Sequence, residues 1–537
     1  MSMINAREIG WKAESKTGVV AAGAAESVAA GIDILGQGGN AADAAAGTIL
    51  ALNVTDHGAC SIGGEVPVLI WDGHQVKSLS GMGRAPLAQT AIDWYMKNGI
   101  PDRDIKMAPV PSVVDLCITL LQRYGTLSLA TIIAPTLALL DEGQEEWHPN
   151  LAHTLRRLVD EEARTNGSRE EKLQAACDRF YGRHPERNDI AEELEAFYIA
   201  EGGFLRRQDL AAHQTLIEDP VSVHYKGYQV YKCGPWTQGP YLCQALRLLE
   251  NSDLRGMGYL SADYVHALVE AIKLATADRD TYYGDPLFVD VPIDALLSDA
   301  YTKLRQPLID MEQAALEARP GDPIDMEALQ ESGVFRPGLG GTTTCIVADR
   351  WGNLVSATPS ANVYHAGGSG QTGVSFGNRL RSLNTTPGHP NCIQAGKRPR
   401  ITLTPTLVLK DQKPVLAISV AGGDLQDQAA LKLFLDVAEF GMMPAAAVVA
   451  PRFSTAHHQD SFNPNPNREQ TFKKAGSLSI SAAIDADIRD ELTQRGHQVE
   501  VHNGPIATPI MLCVDQGTYY TAGDPAARRH AAGLDAT

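Results

Sequence analysis

The sequence predicts a protein of the α+β class, in which a helix-rich first part precedes a strand-rich second part. Small residues at helical spacing occupy 18–54, and the pattern is mainly helical from 110 to 285. A hairpin with its turn at Asp72-Gly73 is predicted between them. Residues 311–341, rich in Pro, Gly and acidic residues, are typical of an exposed linker. Strand patterns follow this linker, at 343–349, 353–359, 402–410 and 414–421.

The composition excludes several functional classes. Acidic residues outnumber basic ones, 64 to 46, and the net charge of −18 argues against nucleic acid or an anionic membrane as a partner. The first 20 residues lack the apolar core of a signal peptide, and no apolar run approaches the roughly 18 residues of a membrane span. We therefore expect a cytoplasmic protein whose ligand is a small molecule.

Cysteine and histidine usage predicts neither a metal site nor a disulfide framework. The eight cysteines lie in apolar segments without a CxxC pair, as reduced core cysteines do. The histidines lack the spacing of metal ligands. We therefore expect no metal and no cofactor.

Three consecutive threonines follow a flexible segment in "GLGGTTTCIVADRWGNLVSATPSAN" at 338–362. If the strands on either side form a hairpin centred on Trp351, Thr342 and Ser360 each lie nine residues from its centre. They then sit opposite each other and share a face. Asn362, two residues beyond Ser360, projects to the same face. The register thus predicts two hydroxyls and a carboxamide at one strand end.

A second predicted hairpin turns near Asp411-Gln412, and its returning strand ends at Gly422-Gly423. Two adjacent glycines allow backbone N–H groups to converge on an anion-binding concavity, which could hold an oxyanion. Taken alone, a glycine pair at a strand end is more often an ordinary turn.

The threonine cluster suggests a nucleophile that carries its own base. A threonine hydroxyl needs an adjacent base near neutral pH, and neither a Gly-x-Ser-x-Gly elbow nor a Ser/His/Asp set is evident. A threonine at a chain N-terminus can use its own α-amine. Thr342 is internal, so its hydroxyl would first attack the carbonyl of Gly341, giving an ester that water cleaves. The alternative is an ordinary threonine-rich edge strand.

Several long segments stand in an order typical of one enzyme family. They include "DILGQGGNAADAA" at 33–45, "CSIGGEVPVLIW" at 60–71, "EAIKLATADRDTYYGDPLFVDVP" at 270–292, "TTTCIVADRWGN" at 342–353, "RPRITLTPTLVL" at 398–409 and "AGGDLQDQ" at 421–428. Through them the sequence resembles the γ-glutamyltranspeptidase family of N-terminal-nucleophile hydrolases over nearly its whole length. The resemblance implies a four-layer αββα sandwich made from one proenzyme. It also implies self-cleavage before Thr342 into a large subunit, 1–341, and a small subunit, 342–537, which stay associated as a heterodimer; pairing of such heterodimers is left open.

Matched residue by residue, the resemblance assigns catalytic roles to five positions. Thr342 matches the nucleophile, and Ser360 matches a threonine that hydrogen-bonds to the nucleophile's amine. Asn362 matches an asparagine that orders the same site. Gly422 and Gly423 match the pair that forms the oxyanion hole.

The substrate-binding positions depart from the family pattern. Arg379 and Ser382 stand where the family has a glutamine and an aspartate that hold a substrate ammonium group. Ile401 and Thr402 replace a pair of serines that contact the substrate's α-carboxylate, so one hydroxyl remains. Losing a carboxylate and gaining an arginine disfavours a glutamyl substrate.

The candidate substrate-binding residues also include two arginines near the inferred pocket. Met82 matches a family arginine, and Arg84 lies two residues later, while Arg400 precedes the Ile401-Thr402 pair. Together these features predict a self-processing amidohydrolase of a small carboxylate-bearing amide, such as oxamate converted to oxalate and ammonia in purine degradation. The alternatives are a γ-glutamyl hydrolase or transferase, a dicarboxylyl-antibiotic acylase, and a non-catalytic binding protein with a retained fold.

Overall fold

The structure, a computed structural model, describes residues 5–329, 341–361, 363 and 370–534. Within these ranges the strands are β1 (Lys12–Ser15), β2 (Gly18–Ala22), β3 (Val66–Trp71), β4 (Val76–Gly81), β5 (Leu216–Glu218), β6 (Val221–Tyr225), β7 (Tyr228–Lys232), β8 (Cys345–Asp349), β9 (Leu354–Ala357), β10 (Thr406–Lys410), β11 (Lys413–Ala421), β12 (Phe453–Ser454), β13 (Ser477–Ser481), β14 (Gln498–His502), β15 (Thr508–Asp515), β16 (Thr518–Gly523) and β17 (His530–Gly533).

The helices of the first part are α1 (Ala25–Gly36), α2 (Ala41–Thr55), α3 (Gln89–Asn98), α4 (Val113–Tyr124), α5 (Leu129–Glu142), α6 (His148–Arg164), α7 (Arg169–Tyr181), α8 (Asp189–Ala200) and α9 (Arg207–Ala211). Those that follow are α10 (Pro240–Leu249), α11 (Leu254–Met257), α12 (Ala262–Tyr282), α13 (Ile293–Leu296), α14 (Asp299–Arg305), α15 (Gln426–Ala438), α16 (Pro444–Ala447) and α17 (Ala486–Gln494).

Two seven-stranded antiparallel sheets form the centre of the fold. Sheet I has the order β17-β2-β8-β9-β3-β4-β5, and sheet II has the order β1-β16-β15-β11-β10-β7-β6. Apolar side chains of both sheets meet in one core, for example Ile346 of sheet I and Ala417 of sheet II. Helices including α2, α4 and α5 cover the outer face of sheet I, and α10, α12 and α15 cover the outer face of sheet II. The predicted four-layer αββα sandwich is confirmed.

The helix predicted from residue 18 was wrong at its start, because the first segment is a strand buried on both faces. Gly18–Ala22 is strand β2 and not the start of a helix. Its Val19 and Ala21 face the core between the sheets, whereas Val20 and Ala22 face the helices. Such a strand has no polar face and therefore no alternating pattern. Strands β5–β7 likewise interrupt the region that was expected to be mainly helical.

The predicted hairpins are present. Strands β3 and β4 join through Asp72-Gly73, and Gly73 has a φ of 91°. Strands β10 and β11 join at Asp411-Gln412, where both residues have positive φ, although regular pairing begins at Thr406 and not at 402. All eight cysteines are free and buried, in keeping with reduced core cysteines. Among the described residues, no helix is both long and apolar enough to cross a membrane.

Candidate active site

The β8–β9 hairpin sets the position of Thr342. Cys345 pairs with Ala357 and Ala348 pairs with Leu354, so the turn is centred on residue 351 as predicted. The carboxylate of Asp349 fixes this turn by accepting hydrogen bonds from the backbone N–H groups of residues 351 and 353, at 2.9 and 3.0 Å. Continued beyond the regular strands, the register places Thr342 opposite Ser360, and their hydroxyl oxygens lie 3.4 Å apart.

The carbonyl oxygen of Gly341 lies at the centre of this strand end. It accepts a hydrogen bond of 2.6 Å from Ser360 Oγ and one of 2.8 Å from Thr342 Oγ1. The hydroxyl of residue 342 therefore lies beside the peptide bond that precedes it. A second hydroxyl is placed to polarise the carbonyl of that same bond.

The threonine after Thr342 anchors the segment. The backbone N–H of Thr343 donates to the Pro359 carbonyl at 2.8 Å, and its hydroxyl donates to the Asp56 carboxylate, which lies 3.6 Å from Arg529. Gly23 makes room for this contact, because a Cβ there would lie 1.8 Å from an Asp56 oxygen. Thr343 therefore ties the start of β8 to the end of α2.

Replacing Thr343 by valine should lower the free energy of unfolding by about 1.5–3 kcal/mol, the value of a hydrogen bond to a charged group. Thr344→Val is a matched control, because the buried Thr344 hydroxyl has no hydrogen-bond partner among the described residues. We expect the control to unfold at the same urea concentration as the wild type or a higher one. Equal unfolding midpoints for the two variants would contradict the anchoring role of Thr343.

Ser360 lies between two neighbours on adjacent segments of the sheet, Thr342 on one side and Glu65 on the other. Glu65 and Ser360 exchange backbone hydrogen bonds of 2.8 and 2.9 Å, and this bridge continues the β3–β9 register. Gly64 allows the close approach, because a Cβ there would lie 2.2 Å from the Ser360 carbonyl oxygen. Thr342, Ser360 and Glu65 therefore lie side by side on three adjacent segments of sheet I.

A buried arginine connects Glu65 with Ser360. Arg379, on a short 3₁₀ turn at Arg379–Ser382, donates from Nε to Glu65 Oε1 at 2.5 Å and from Nη2 to Ser360 Oγ at 2.7 Å. The side chains of Arg379 and Glu65 are 1% and 0% exposed. Burial raises the pKa of the Glu65 carboxyl, and the adjacent Arg379 guanidinium opposes that rise.

The ring of Phe462 packs against two arginines of the same turn. The guanidinium carbons of Arg379 and Arg381 lie 5.3 and 4.7 Å from its centroid. Burial lowers the pKa of Arg381 to about 10, and the charge of Arg379 is the second cause. The carboxylate of Glu65 pairs with Arg379, and that of Asp460 is a close electrostatic neighbour of Arg381, so both arginine charges are offset in part.

Gly422 and Gly423 lie at the end of β11 with φ values of 153° and 60°. The Gly422 carbonyl accepts from the N–H of Leu425 at 3.1 Å, and the Gly423 carbonyl accepts from Gln238 Nε2 at 3.4 Å. A Cβ on Gly423 would lie 3.0 Å from the Phe462 ring, which itself contacts Arg379. These contacts connect the glycine pair to the row that contains Thr342.

Ser382 and Thr402 present buried hydroxyls that have no hydrogen-bond partner among the described residues. Buried hydroxyls without a partner are uncommon in folded proteins. Arg400 is also buried and donates to Ser461 Oγ at 2.8 Å. Burial, followed by the charge of Arg279, lowers the pKa of Arg400 to about 10.

Apart from Gly341, Ser360 is the one candidate residue with a described contact to Thr342. The electrostatic neighbours of Arg84 include Arg398 and Asp285, which form a buried ion pair with a 2.8 Å contact. Asn362 lies outside the described residues. The catalytic and substrate-binding roles of all the candidate residues remain predictions.

A buried group with metal-ligand chemistry lies elsewhere, on α12 and before β14. His266 Nδ1 and His497 Nε2 are 2.8 Å apart, and Glu270 lies beside them. The Glu270 carboxylate already accepts from Lys273 at 2.7 Å and from Arg319 at 2.8 Å. Two cations on one carboxylate oppose the binding of a third, so we assign no metal there.

Sequence reasoning did not identify Glu65 or Phe462 as site residues. Glu65 is a single acidic residue at the start of an apolar strand, and that is a usable signal, because an isolated buried carboxylate needs a partner. Phe462 has no comparable signal. It lies in a loop that reaches the site only through tertiary packing.

A family model and a known relative each match nearly the whole chain. A family model described as Gamma-glutamyltranspeptidase matches residues 27–147 and 146–534. The glutathione hydrolase proenzyme of Escherichia coli (strain K12) is 29% identical over 95% of this chain and 90% of its own length.

Two solved structures share the fold. The protein titled LmbA2991HD superposes with a TM-score of 0.86 and 31% identity, covering 97% of this chain and 98% of its own. A cephalosporin acylase from Bacillus halodurans superposes with a TM-score of 0.80 and 25% identity, covering 100% of this chain and 98% of its own.

Proposed function

Since this chain belongs to the gamma-glutamyltranspeptidase family, we propose that Thr342 is its nucleophile and that the chain cleaves itself between Gly341 and Thr342. Membership makes it a self-processing hydrolase of carbon–nitrogen amide bonds with an N-terminal nucleophile, and sets aside a non-catalytic binding protein. The observation that carries the assignment is the Gly341 carbonyl, which lies beside the Thr342 hydroxyl and accepts a hydrogen bond from Ser360.

Self-cleavage transfers an acyl group from nitrogen to oxygen. Thr342 Oγ1 bonds to the Gly341 carbonyl carbon, the carbon–nitrogen bond breaks, and the hydroxyl proton passes to the released nitrogen. Water then hydrolyses the ester, which leaves a Gly341 carboxylate and restores the hydroxyl of Thr342. The new α-amine supplies the base for substrate turnover. We assign the oxyanion of the substrate reaction to the N–H groups of Gly422 and Gly423.

Interleaved strands support a heterodimer of the two fragments, 1–341 and 342–537. In sheet I, β2 from the first fragment lies between β17 and β8 from the second. In sheet II, β1 and β7 from the first fragment flank a block of four strands from the second. Separating the fragments would break both sheets, so cleavage should leave them associated.

The substrate proposed here is a small amide that carries a carboxylate. Arg379 and Arg381, which pack against Phe462, are the cationic groups that we assign to attracting the carboxylate. The Nε and Nη2 groups of Arg379 are already engaged, so we assign the carboxylate to the combined field of Arg379 and Arg381 and to the hydroxyls of Ser382 and Thr402. Phe462, packed against Gly423, limits the space beside the proposed oxyanion site.

Oxamate fits this description, because its carboxylate is bonded directly to the amide carbon. The reaction would yield oxalate and ammonia and would serve purine degradation. Processed protein should release ammonia from oxamate with little release of anilide from a γ-glutamyl anilide. Oxamide, the neutral counterpart, should react roughly 10–150-fold more slowly in kcat/KM, the value of a lost charged hydrogen bond of about 1.5–3 kcal/mol.

The second candidate is an acylase, which the likeness to the cephalosporin acylase favours. A cephalosporin with a dicarboxylyl side chain therefore belongs in the same assay. Release of that side chain without ammonia from oxamate would support the acylase. Efficient release of anilide from the γ-glutamyl substrate, with no ammonia from oxamate, would restore a glutathione hydrolase type of activity.

A further inference from the structure

The hydrogen-bond donors around Ser360 determine where its hydroxyl proton points. A guanidinium only donates hydrogen bonds, so Ser360 Oγ must accept from Arg379 Nη2 at 2.7 Å. Its one proton can then be donated to the Gly341 carbonyl oxygen at 2.6 Å, and the Glu65 carboxylate is a second acceptor near the same hydroxyl. The Glu65 carboxylate in turn holds the guanidinium through Nε.

We propose that Glu65 is a positioning residue for self-cleavage, acting through Arg379 to direct the Ser360 proton at the Gly341 carbonyl oxygen. The inference rests on the proposed function, because it assumes attack by Thr342 on that carbonyl. When Thr342 Oγ1 bonds to the carbonyl carbon, negative charge develops on the Gly341 oxygen. The Ser360 hydroxyl, polarised by a cation, stabilises that charge. The Glu65–Arg379 pair gives up no atom in this step.

Stability alone does not explain the buried ion pair of Glu65 and Arg379. Glu65 Oε2 has no hydrogen-bond partner among the described residues, although the side chain is fully buried. Burying two charges costs desolvation energy that the attraction between them often only repays, and apolar pairs of similar volume are frequently as stable. The ion pair is thus better explained by what it does to Ser360.

Replacing the ion pair by an apolar pair of similar volume separates its effect on stability from its effect on self-cleavage. The full-length chain and three variants, Glu65→Leu, Arg379→Met and the double variant, are synthesised in a cell-free system, and uncut chain is followed by denaturing gel after synthesis stops. Melting temperatures are measured in parallel. Glu65→Gln is the conservative control, because its amide oxygen can still accept from Arg379 Nε.

Each single variant should melt at a lower temperature, because one charge stays buried without its partner. The double variant should recover the wild-type melting temperature. All three should process at least about 10-fold more slowly, but less than the 10²–10³-fold expected when an oxyanion donor itself is lost. Glu65→Gln should fall between the wild type and Glu65→Leu.

Processing of the double variant at the wild-type rate would overturn the inference, since the pair would then serve stability only. Equal processing rates for Glu65→Leu and the wild type would also overturn it. Failure of the proposed function has a different result, because the wild-type chain itself would then remain uncut between Gly341 and Thr342.

Discussion

Replacing Thr342 by alanine should leave the chain uncut and without amidase activity. The variant lacks the hydroxyl that attacks the Gly341 carbonyl, and no N-terminal nucleophile can then form. Thr342→Ser keeps a hydroxyl and should still cleave, at a lower rate. A denaturing gel measures the loss of self-cleavage, and an ammonia-release assay measures the loss of amidase activity.

Thr344→Val is the control for this experiment, because it alters a threonine two residues away whose hydroxyl has no partner among the described residues. It should process and turn over substrate as the wild type does. Cleavage of the Thr342→Ala chain between residues 341 and 342 would show that another group performs the attack.

Replacing Ser360 by alanine should have the second largest effect. Its hydroxyl donates to the Gly341 carbonyl at 2.6 Å and lies 3.4 Å from that of Thr342. Loss of one oriented donor to a developing oxyanion costs about 10²–10³ in rate. We expect self-cleavage to slow by that factor, as followed by the loss of full-length chain with time.

Ser356→Ala is the matched control, with the same atom removed from β9. The Ser356 hydroxyl is buried and donates to the Ile418 carbonyl of sheet II at 3.1 Å, four residues away from Ser360 along the chain. Its loss should lower stability modestly and leave the processing rate unchanged. If both serine variants processed at the wild-type rate, the Ser360 hydroxyl would have no part in self-cleavage.

The sequence was sufficient for the part of the site built from one hairpin. A short turn fixes the register of its two strands, so the positions of Thr342 and Ser360 follow from counting residues out from Trp351. The carboxylate of Asp349, which holds that turn, is likewise local in sequence. The Asp411-Gln412 turn leads to Gly422-Gly423 in the same way.

The rest of the site depends on contacts between distant segments. Glu65 reaches Ser360 because β3 pairs with β9, almost 300 residues later in the chain, and no turn connects them. Arg379 was predicted to bind substrate, whereas two of its donor groups bind Glu65 and Ser360. Strand β2 was mistaken for helix because both of its faces are buried and periodicity is lost.

The measurement that tests the central claim most directly is the intact mass of the purified wild-type protein, with sequencing of every N-terminus. Thr342 as an internal nucleophile predicts two fragments, 1–341 and 342–537, that co-purify, with threonine as the first residue of the second. A chain that remains in one piece while it hydrolyses its amide substrate at full rate would contradict the account, and so would cleavage at any other peptide bond.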